Sequence, residues 1–220
     1  MSRVGIRIRR ASENDLELLT WVMLAASRSH LDRGIWEYLN AADGEDTLSF
    51  LRRLATTETV HVFHWSLFLI AELDGEAGAA ICAYESSTQG FDTALPEMIA
   101  ATAAEGIDTD DPAYVRRSGV MLSGLIMDNP GPPGPRWVIE NVATKPEMRR
   151  KGLVDALLHQ LLGHGRERGF EYAQISVFIE NERARRAYMK AGFEVLAEQR
   201  SDDWPGELGC PGTEMLLQPL

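Results

Sequence analysis

The residues with the clearest chemical potential lie at one predicted strand-to-helix turn. They are Arg149, Arg150, Lys151, Gly152, Leu153 and Val154. The first turn of a helix leaves backbone N–H groups unpaired at the positive end of its dipole, so it can hold a diphosphate. Gly152 lets an anion approach the backbone, and the neighbouring cations attract it. The alternative is an exposed helix start whose cations only aid solubility.

A second pair of candidate residues lies on the next predicted helix. Asn181 and Tyr188 are seven positions apart, which is about two helical turns, so they share one helix face. Both could border the same ligand. Asn181 is also a typical helix cap, and Tyr188 would serve equally well as a core aromatic residue.

Other phosphate and nucleophile motifs do not fit. The sequence contains no G-x-x-x-x-G-K-[ST] loop, no G-x-S-x-G and no Cys/His arrangement. Gly163, Gly165 and Gly169 imitate a dinucleotide fingerprint, but their spacing has one residue too many. They also close a helix, whereas the fingerprint must follow a strand.

The histidines do not indicate a metal site. His61 and His64 lie in a region that we interpret as a strand, and His159 and His164 lie on the long helix. Neither pair comes with carboxylates in a metal-ligand pattern, so we expect no metal.

The predicted elements place the candidate residues where strands meet helices. Strands are predicted at residues 5–9, 68–73, 77–84, 137–143, 172–178, 193–199 and 213–217 from their apolar patterns. Helices are predicted to start near residues 12, 46, 150 and 181. Asp74 and Gly75 predict a hairpin turn between the second and third strands.

Residues 86–135 are predicted to be a helical, acidic insertion. Helical composition covers residues 95–104 and 113–127, and a Pro/Gly run at 129–135 ends the segment. It carries seven acidic residues and two arginines. Structured segments of this kind commonly cover a site, although a helical decoration without function fits equally well.

Length and composition indicate one globular domain over residues 1–220, of which 45% are hydrophobic. The longest nearly apolar stretch, residues 65–71, is far shorter than the ~20 residues that span a bilayer. Residues 1–10 lack the apolar core of a signal peptide. Cys82 and Cys210 are too few for a disulfide framework or a four-thiolate zinc site. We therefore expect a cytoplasmic protein.

The net charge of −11 is unevenly distributed. Residues 136–200 carry 12 Lys/Arg and 9 Asp/Glu, whereas the rest of the chain carries 10 and 24. Such an acidic chain repels nucleic acid and acidic lipid, so any polyanion that binds must be small enough for the basic segment. A phosphorylated small molecule fits this description, and a solvated charged surface is the alternative.

Residues 137–196 resemble the conserved half of the GCN5-related N-acetyltransferase (GNAT) superfamily. Residues 149–154 are similar to its Q/R-x-x-G-x-G/A motif, with Val154 in place of a small residue. Residues 181–193 are similar to its N-x-x-A-x-x-x-Y-x-x-x-G-F motif. The resemblance implies an α/β GNAT fold. Its mixed, mostly antiparallel sheet of six or seven strands is flanked by helices, with the insertion between the third and fourth strands.

The resemblance further implies that acetyl-CoA binds as co-substrate. Its diphosphate would lie on the backbone of residues 149–154, and Asn181 would border it. Its pantetheine arm would lie in a split between the fourth and fifth strands and pair with the backbone of Val142 and Thr144, since a sheet edge holds an extended amide chain well. Because Val154 contributes its backbone N–H, we expect its larger side chain to perturb packing more than binding.

The resemblance also implies catalytic roles. Glu140 would accept the proton of the attacking amine, and Tyr188 would protonate the departing thiolate. A backbone N–H near Val142 or Ala143 would polarise the acetyl carbonyl. If Val138, Glu140 and Val142 share one strand face, Glu140 points toward core or cleft; the alternative is an exposed edge glutamate. Direct attack needs no covalent enzyme intermediate.

We therefore expect an N-acetyltransferase that moves the acetyl group of acetyl-CoA to an amine of a small molecule or peptide. The acidic amino-terminal half favours a cationic acceptor. Transfer of a longer acyl chain, or transfer to a hydroxyl group, is a further possibility that keeps the same fold and changes the product. The alternative function is that of a non-catalytic protein that binds an acyl-CoA or another ligand. Contacts between the cofactor and the backbone would persist in a protein that had lost its catalytic side chains. A homodimer is compatible with the resemblance, but no apolar stripe identifies its surface.

Overall fold

The computed structural model describes residues 5–125 and 130–220, in which seven strands form one sheet. The strands are β1 (Ile6–Arg10), β2 (Phe68–Leu73), β3 (Glu76–Glu85), β4 (Trp137–Thr144), β5 (Tyr172–Phe178), β6 (Glu194–Arg200) and β7 (Gly212–Pro219). Their order is β1-β2-β3-β4-β5-β7-β6, and among them only β4 and β5 pair in parallel. The predicted mixed, mostly antiparallel sheet is confirmed, as is the hairpin of β2 and β3.

The described helices flank this sheet. They are α1 (Leu16–Arg28), α2 (Ile35–Asn40), α3 (Gly44–Ala55), α4 (Ser86–Gln89), α5 (Phe91–Ala104), α6 (Pro112–Ser123), α7 (Leu153–Glu167), α8 (Glu182–Lys190) and α9 (Trp204–Glu207). The short α2, α4 and α9 have no counterpart in the prediction, because four to six residues show no clear period. The predicted helix at 113–127 ends at Ser123, and its predicted end at Met127 lies outside the described residues. No helix in residues 5–125 and 130–220 combines the length and apolarity needed to cross a bilayer.

Each face of the sheet buries its own apolar cluster. On one face α1, α3 and α5 pack together, and the cluster includes Leu19 and Met23 of α1 with Phe50 of α3. On the other face α7 covers the sheet with an apolar stripe, in which Leu157, Leu158, Leu161 and Leu162 are buried. We call these the α1 face and the α7 face.

His61 and His64 lie in turns before β2, so their predicted placement in a strand is wrong. The Nε2 atom of His61 lies 3.0 Å from Oγ1 of Thr57, and its Nδ1 accepts a hydrogen bond from the backbone N–H of Phe63. Burial lowers the pKa of His61 to about 4. The neutral ring therefore stabilises a buried turn whose apolar residues imitate a strand pattern.

The insertion between β3 and β4 docks on the β6–β7 connection. Trp204 is fully buried, and its Nε1 donates a hydrogen bond to the carbonyl of Val120 at 2.7 Å. A Cβ on Gly124 would overlap the Trp204 ring. Gln199 of β6 also donates to the carbonyl of Ser123 at 2.9 Å. The predicted insertion is thus a packed part of the fold.

The two glycines inside α7 are expected to respond oppositely to alanine. A Cβ at Gly165 would lie 2.8 Å from Cδ1 of Trp137, whose indole is held by a 2.9 Å hydrogen bond to the carbonyl of Leu161. A Cβ at Gly163 would meet nothing within 4 Å. We expect Gly163→Ala to raise the free energy of unfolding by about 0.5–1 kcal/mol and Gly165→Ala to lower it by about 1–3 kcal/mol. Urea denaturation measures both, and shifts of the same sign would contradict the packing argument.

Candidate active site

Strands β4 and β5 separate halfway along their length. They pair over three residue pairs, the last being Ile139 with Ile175. Residues 140–144 of β4 and 176–178 of β5 have no strand partner across the resulting gap. The outer edges of the two strands remain paired with β3 and β7. The sheet is therefore open at its centre, where the split between the fourth and fifth strands is expected.

A β-bulge in β4 turns Glu140 and Val142 toward different faces. Two residues, Asn141 and Val142, lie opposite the single residue Ile81 of β3, and Asn141 has a φ of +51°. Val142 packs on the α7 face, while Glu140 lies on the α1 face. The expectation that Val138, Glu140 and Val142 share one face is therefore wrong for Val142, because the extra residue shifts the alternation by one.

Glu140 is half-buried beside the gap. The hydroxyl of Tyr84 donates a hydrogen bond to its Oε1 at 3.2 Å. Burial raises the pKa of Glu140 to about 7, and the Tyr84 hydrogen bond acts in the opposite direction. A carboxyl group with this pKa changes its protonation state near neutral pH, as a general base in this range requires.

The turn at residues 149–154 has a backbone suited to an anion. Arg150 and Gly152 adopt left-handed φ values of +62° and +84°, and Gly152 caps α7. The backbone N–H groups from Arg150 to Asp155 donate to no described residue. Successive free N–H groups at a helix start form an anion-binding concavity. A Cβ at Gly152 would meet only Ile6, at 3.8 Å, so the positive φ rather than lack of space favours glycine there.

Asn181 connects the start of α8 to the end of α1. Its Oδ1 accepts a hydrogen bond from the backbone N–H of Ala184 at 3.2 Å, which confirms the predicted cap. Its Nδ2 donates to Oγ of Ser29 at 2.7 Å. Ser29 follows α1 and has a φ of +58°, an unusual value for a residue with a side chain. The amide of Asn181 thus joins helices from both faces of the sheet.

Tyr188 is buried on the α7 face, with 6% of its surface exposed. Burial raises the pKa of its hydroxyl above the ordinary value, and the charge of Arg183 acts in the opposite direction. The phenol is therefore protonated at neutral pH and available as a proton donor.

One cavity of about 890 Å³ joins these features through the gap in the sheet. Its lining contains every predicted site residue except Lys151: Glu140, Val142, Ala143, Thr144, Arg149, Arg150, Gly152, Leu153, Val154, Asn181 and Tyr188. Arg183 also borders it, whereas Arg185 pairs with Glu214 at 2.8 Å. Among the described residues, no three His, Cys, Asp or Glu side chains group as metal ligands.

The structure adds site residues that the sequence patterns did not single out. Tyr84 borders the cavity because it lies opposite Val138 in the β3–β4 register, next to Glu140. Phe91 and Asp92, at the start of α5, border it as well, so the insertion covers part of the site. Only the strand pairing, which connects residues far apart in the chain, could have revealed Tyr84.

Solved structures of known proteins share this fold. A solved structure described as an acetyltransferase has a TM-score of 0.66 at 15% identity, covering 97% of this chain and 98% of that one. An N-acetyltransferase from Staphylococcus aureus Mu50 has a TM-score of 0.60 at 17% identity, covering 96% and 99%. A GCN5-related N-acetyltransferase from Kribbella flavida has a TM-score of 0.55 at 15% identity, covering 98% of both chains.

No curated protein sequence matches the chain. The family model of the acetyltransferase (GNAT) family matches residues 35–193, which is more than half of the chain. The chain therefore belongs to the GNAT family of acetyltransferases.

Proposed function

We propose that this acetyltransferase moves the acetyl group of acetyl-CoA to an amine of a small molecule or peptide by direct attack. One observation carries the proposal: a single cavity contains the free N–H groups after Arg149, the unpaired edges of β4 and β5, and a carboxyl group with a pKa near 7. These are an anion-binding turn, a slot for an extended amide chain, and a base.

The residues present fit acetyl-CoA, which supplies a thioester as the activated acetyl group. The free N–H groups of residues 150–155 would hold the diphosphate, with Arg149 and Arg150 adding positive charge. Arg183 is the candidate for a further phosphate, because it borders the cavity while Arg185 is paired with a carboxylate. Asn181 would position the start of α8 through its bonds to Ala184 and Ser29.

The open edge of β4 would bind the pantetheine arm. Its residues Val142, Ala143 and Thr144 border the cavity and have no strand partner toward β5. Backbone groups at a sheet edge hold an extended amide chain by the hydrogen bonds that another strand would make. A backbone N–H next to the bulge would polarise the acetyl carbonyl.

Glu140 and Tyr188 would move the two protons. Glu140 accepts the proton that the amine nitrogen loses as its bond to the acetyl carbon forms. Tyr188 donates its phenolic proton to the sulfur as the carbon–sulfur bond breaks. Both side chains border the cavity, and neither becomes acylated.

Gly152→Ala is expected to weaken binding of coenzyme A by about tenfold. A Cβ at a φ of +84° costs on the order of 1–2 kcal/mol, and relief of that strain would turn the free N–H groups away. The matched control is Gly75→Ala, which has a φ of +88° in the β2–β3 turn with nothing within 4 Å of its Cβ. Calorimetry with coenzyme A measures both variants, and equal affinities for the two would contradict this role of the turn.

The reaction is expected to gain rate as pH rises through about 7, the pKa of Glu140. Glu140→Gln should lower kcat by roughly 10²–10⁴-fold and remove this pH limb. Tyr84→Phe should move the limb to higher pH, because its hydrogen bond favours the ionised carboxylate. Release of coenzyme A thiol, measured from pH 5 to 9, follows all three proteins. A limb that persists in Glu140→Gln belongs to another group.

The pH dependence of the free energy of unfolding tests the titration of Glu140 in the absence of substrate. The pKa of Glu140 is raised from 4.5 to about 7, so the folded state keeps a proton that the unfolded state releases. Its contribution to stability is complete below pH 4.5 and falls as pH rises to about 7. The stability of the natural chain relative to Glu140→Gln should fall by roughly 1–3 kcal/mol over this window. Glu58→Gln, at an exposed acid, controls for the lost charge.

Tyr188→Phe is expected to lower kcat by roughly 10²-fold with little change in the KM for acetyl-CoA. The variant keeps the buried ring and loses only the proton donor. Tyr172→Phe, on β5 but outside the cavity lining, is the control for loss of a phenol. Equal kcat values for the two variants would remove Tyr188 from the mechanism.

A further inference from the structure

The cavity has two chemically different halves. The half on the α1 face is lined by apolar and aromatic side chains of the core cluster there: Ile35, Trp36, Phe63, Tyr84, Phe91 and Leu125. The half on the α7 face contains the anion-binding turn and Tyr188. Because the second half is the proposed cofactor half, the first half, which we call the acceptor half, is left for the amine.

The cations that border the cavity all lie in its half on the α7 face, beside one acidic residue, Asp155, which pairs with Lys190. Arg149 and Arg150 border it at the turn before α7, and Arg183 and Lys190 border it from α8. The charged side chains of the acceptor half are those of Glu140 and Asp92, both acidic. Within the described residues, no cation borders the acceptor half. An ammonium group is therefore attracted there, and a carboxylate is repelled.

The aromatic side chains of the acceptor half belong to the core cluster on the α1 face, and serine hydroxyl groups border the same cavity. Trp36 is only 5% exposed and packs edge-to-face on Phe63 with ring centroids 5.3 Å apart. The hydroxyl of Tyr84 is engaged with Glu140, so its ring is what remains for a ligand. Phe91 is half-buried at the start of α5. Such an aromatic wall binds a flat apolar group through ring contacts.

We infer that the acceptor is a small primary alkylamine that carries an aromatic ring and no carboxylate. This inference rests on the proposed function. The ring lies against Trp36, Phe63 and Phe91, and the amine reaches Glu140, which takes its proton. Asp92, exposed at the start of α5, adds attraction for the incoming cation. Aliphatic diamines and amino acids lack this match, because an aliphatic diamine has no ring to pack on the wall and an amino acid brings a carboxylate toward Glu140.

A matched set of acceptors tests the inference. 2-Phenylethylamine is compared with butylamine, 1,4-diaminobutane and phenylalanine, with release of coenzyme A thiol as the readout. We expect kcat/KM for 2-phenylethylamine to exceed each of the others by at least about tenfold, the scale on which an apolar pocket discriminates. A higher value for the diamine, butylamine or phenylalanine would overturn the inference and leave the transferase function standing.

Phe91→Ala locates the ring. The ratio of kcat/KM for 2-phenylethylamine to that for butylamine should fall about fivefold or more, because the variant removes ring contact and leaves Glu140 in place. This ratio does not depend on the fraction of folded protein. Leu95→Ala, an apolar truncation on the same helix outside the cavity lining, should keep the natural ratio. An unchanged ratio in Phe91→Ala would overturn the placement of the ring.

Binding separates failure of this inference from failure of the proposed function. Calorimetry measures each amine against the full chain saturated with coenzyme A. Tighter binding of 2-phenylethylamine without any turnover would support the acceptor class and refute the catalytic proposal. If neither binding nor turnover of 2-phenylethylamine is detected, the acceptor class is refuted.

Discussion

The separation of β4 from β5 is the constraint on which the rest of the site depends. Backbone groups inside a sheet normally pair with the neighbouring strand, yet residues 140–144 and 176–178 have no such partner across the gap. The bulge at Asn141 and Val142 bends β4 at this point and turns Glu140 and Val142 to different faces. One extra residue in β4 thus accompanies both the open backbone edge and the placement of the proposed base.

The other end of the gap is held closed by Arg136 and Trp137. Arg136 is 1% exposed, and its guanidinium donates to Oε1 of Gln174 on β5 at 2.9 Å and to the carbonyl of Pro132 at 3.1 Å. Carbonyls of the Pro/Gly loop therefore take the place of a carboxylate around this buried cation. The indole of Trp137 donates a hydrogen bond to the carbonyl of Leu161 in α7. The Cζ atom of Arg168 lies 4.9 Å from the centroid of the Trp137 ring. These contacts attach the end of the insertion to the sheet at the point where β4 and β5 still pair. The gap therefore begins beyond these contacts, at residue 140 of β4.

Sequence patterns predicted most elements because their signals are local. The cap at Asn181, the glycine at 152 and the hairpin turn at residues 74–75 each depend on a few neighbouring residues. The contact between Tyr84 and Glu140 joins positions 56 apart in the chain, across the whole insertion. Predicting this contact requires the β3–β4 register. That register contains a bulge, which an alternating apolar pattern does not reveal. Local signals therefore predicted the turn before α7 and the cap of α8, whereas the surroundings of Glu140 on the α1 face were not predicted.

A carboxylate that is to act as a base near neutral pH must have no cation beside it. A guanidinium next to Glu140 would lower its pKa well below 7, as Arg9 does for Asp15, whose pKa falls to about 2. The proposed cofactor, a polyanion, nevertheless needs positive charge in the same cavity. The sheet reconciles the two demands, because the lining cations lie with α7 and α8 while Glu140 lies on the α1 face. The uncharged hydroxyl of Tyr84 donates a hydrogen bond that favours ionisation of Glu140. Because it carries no full charge, it does not lower the pKa of Glu140 as far as a guanidinium would.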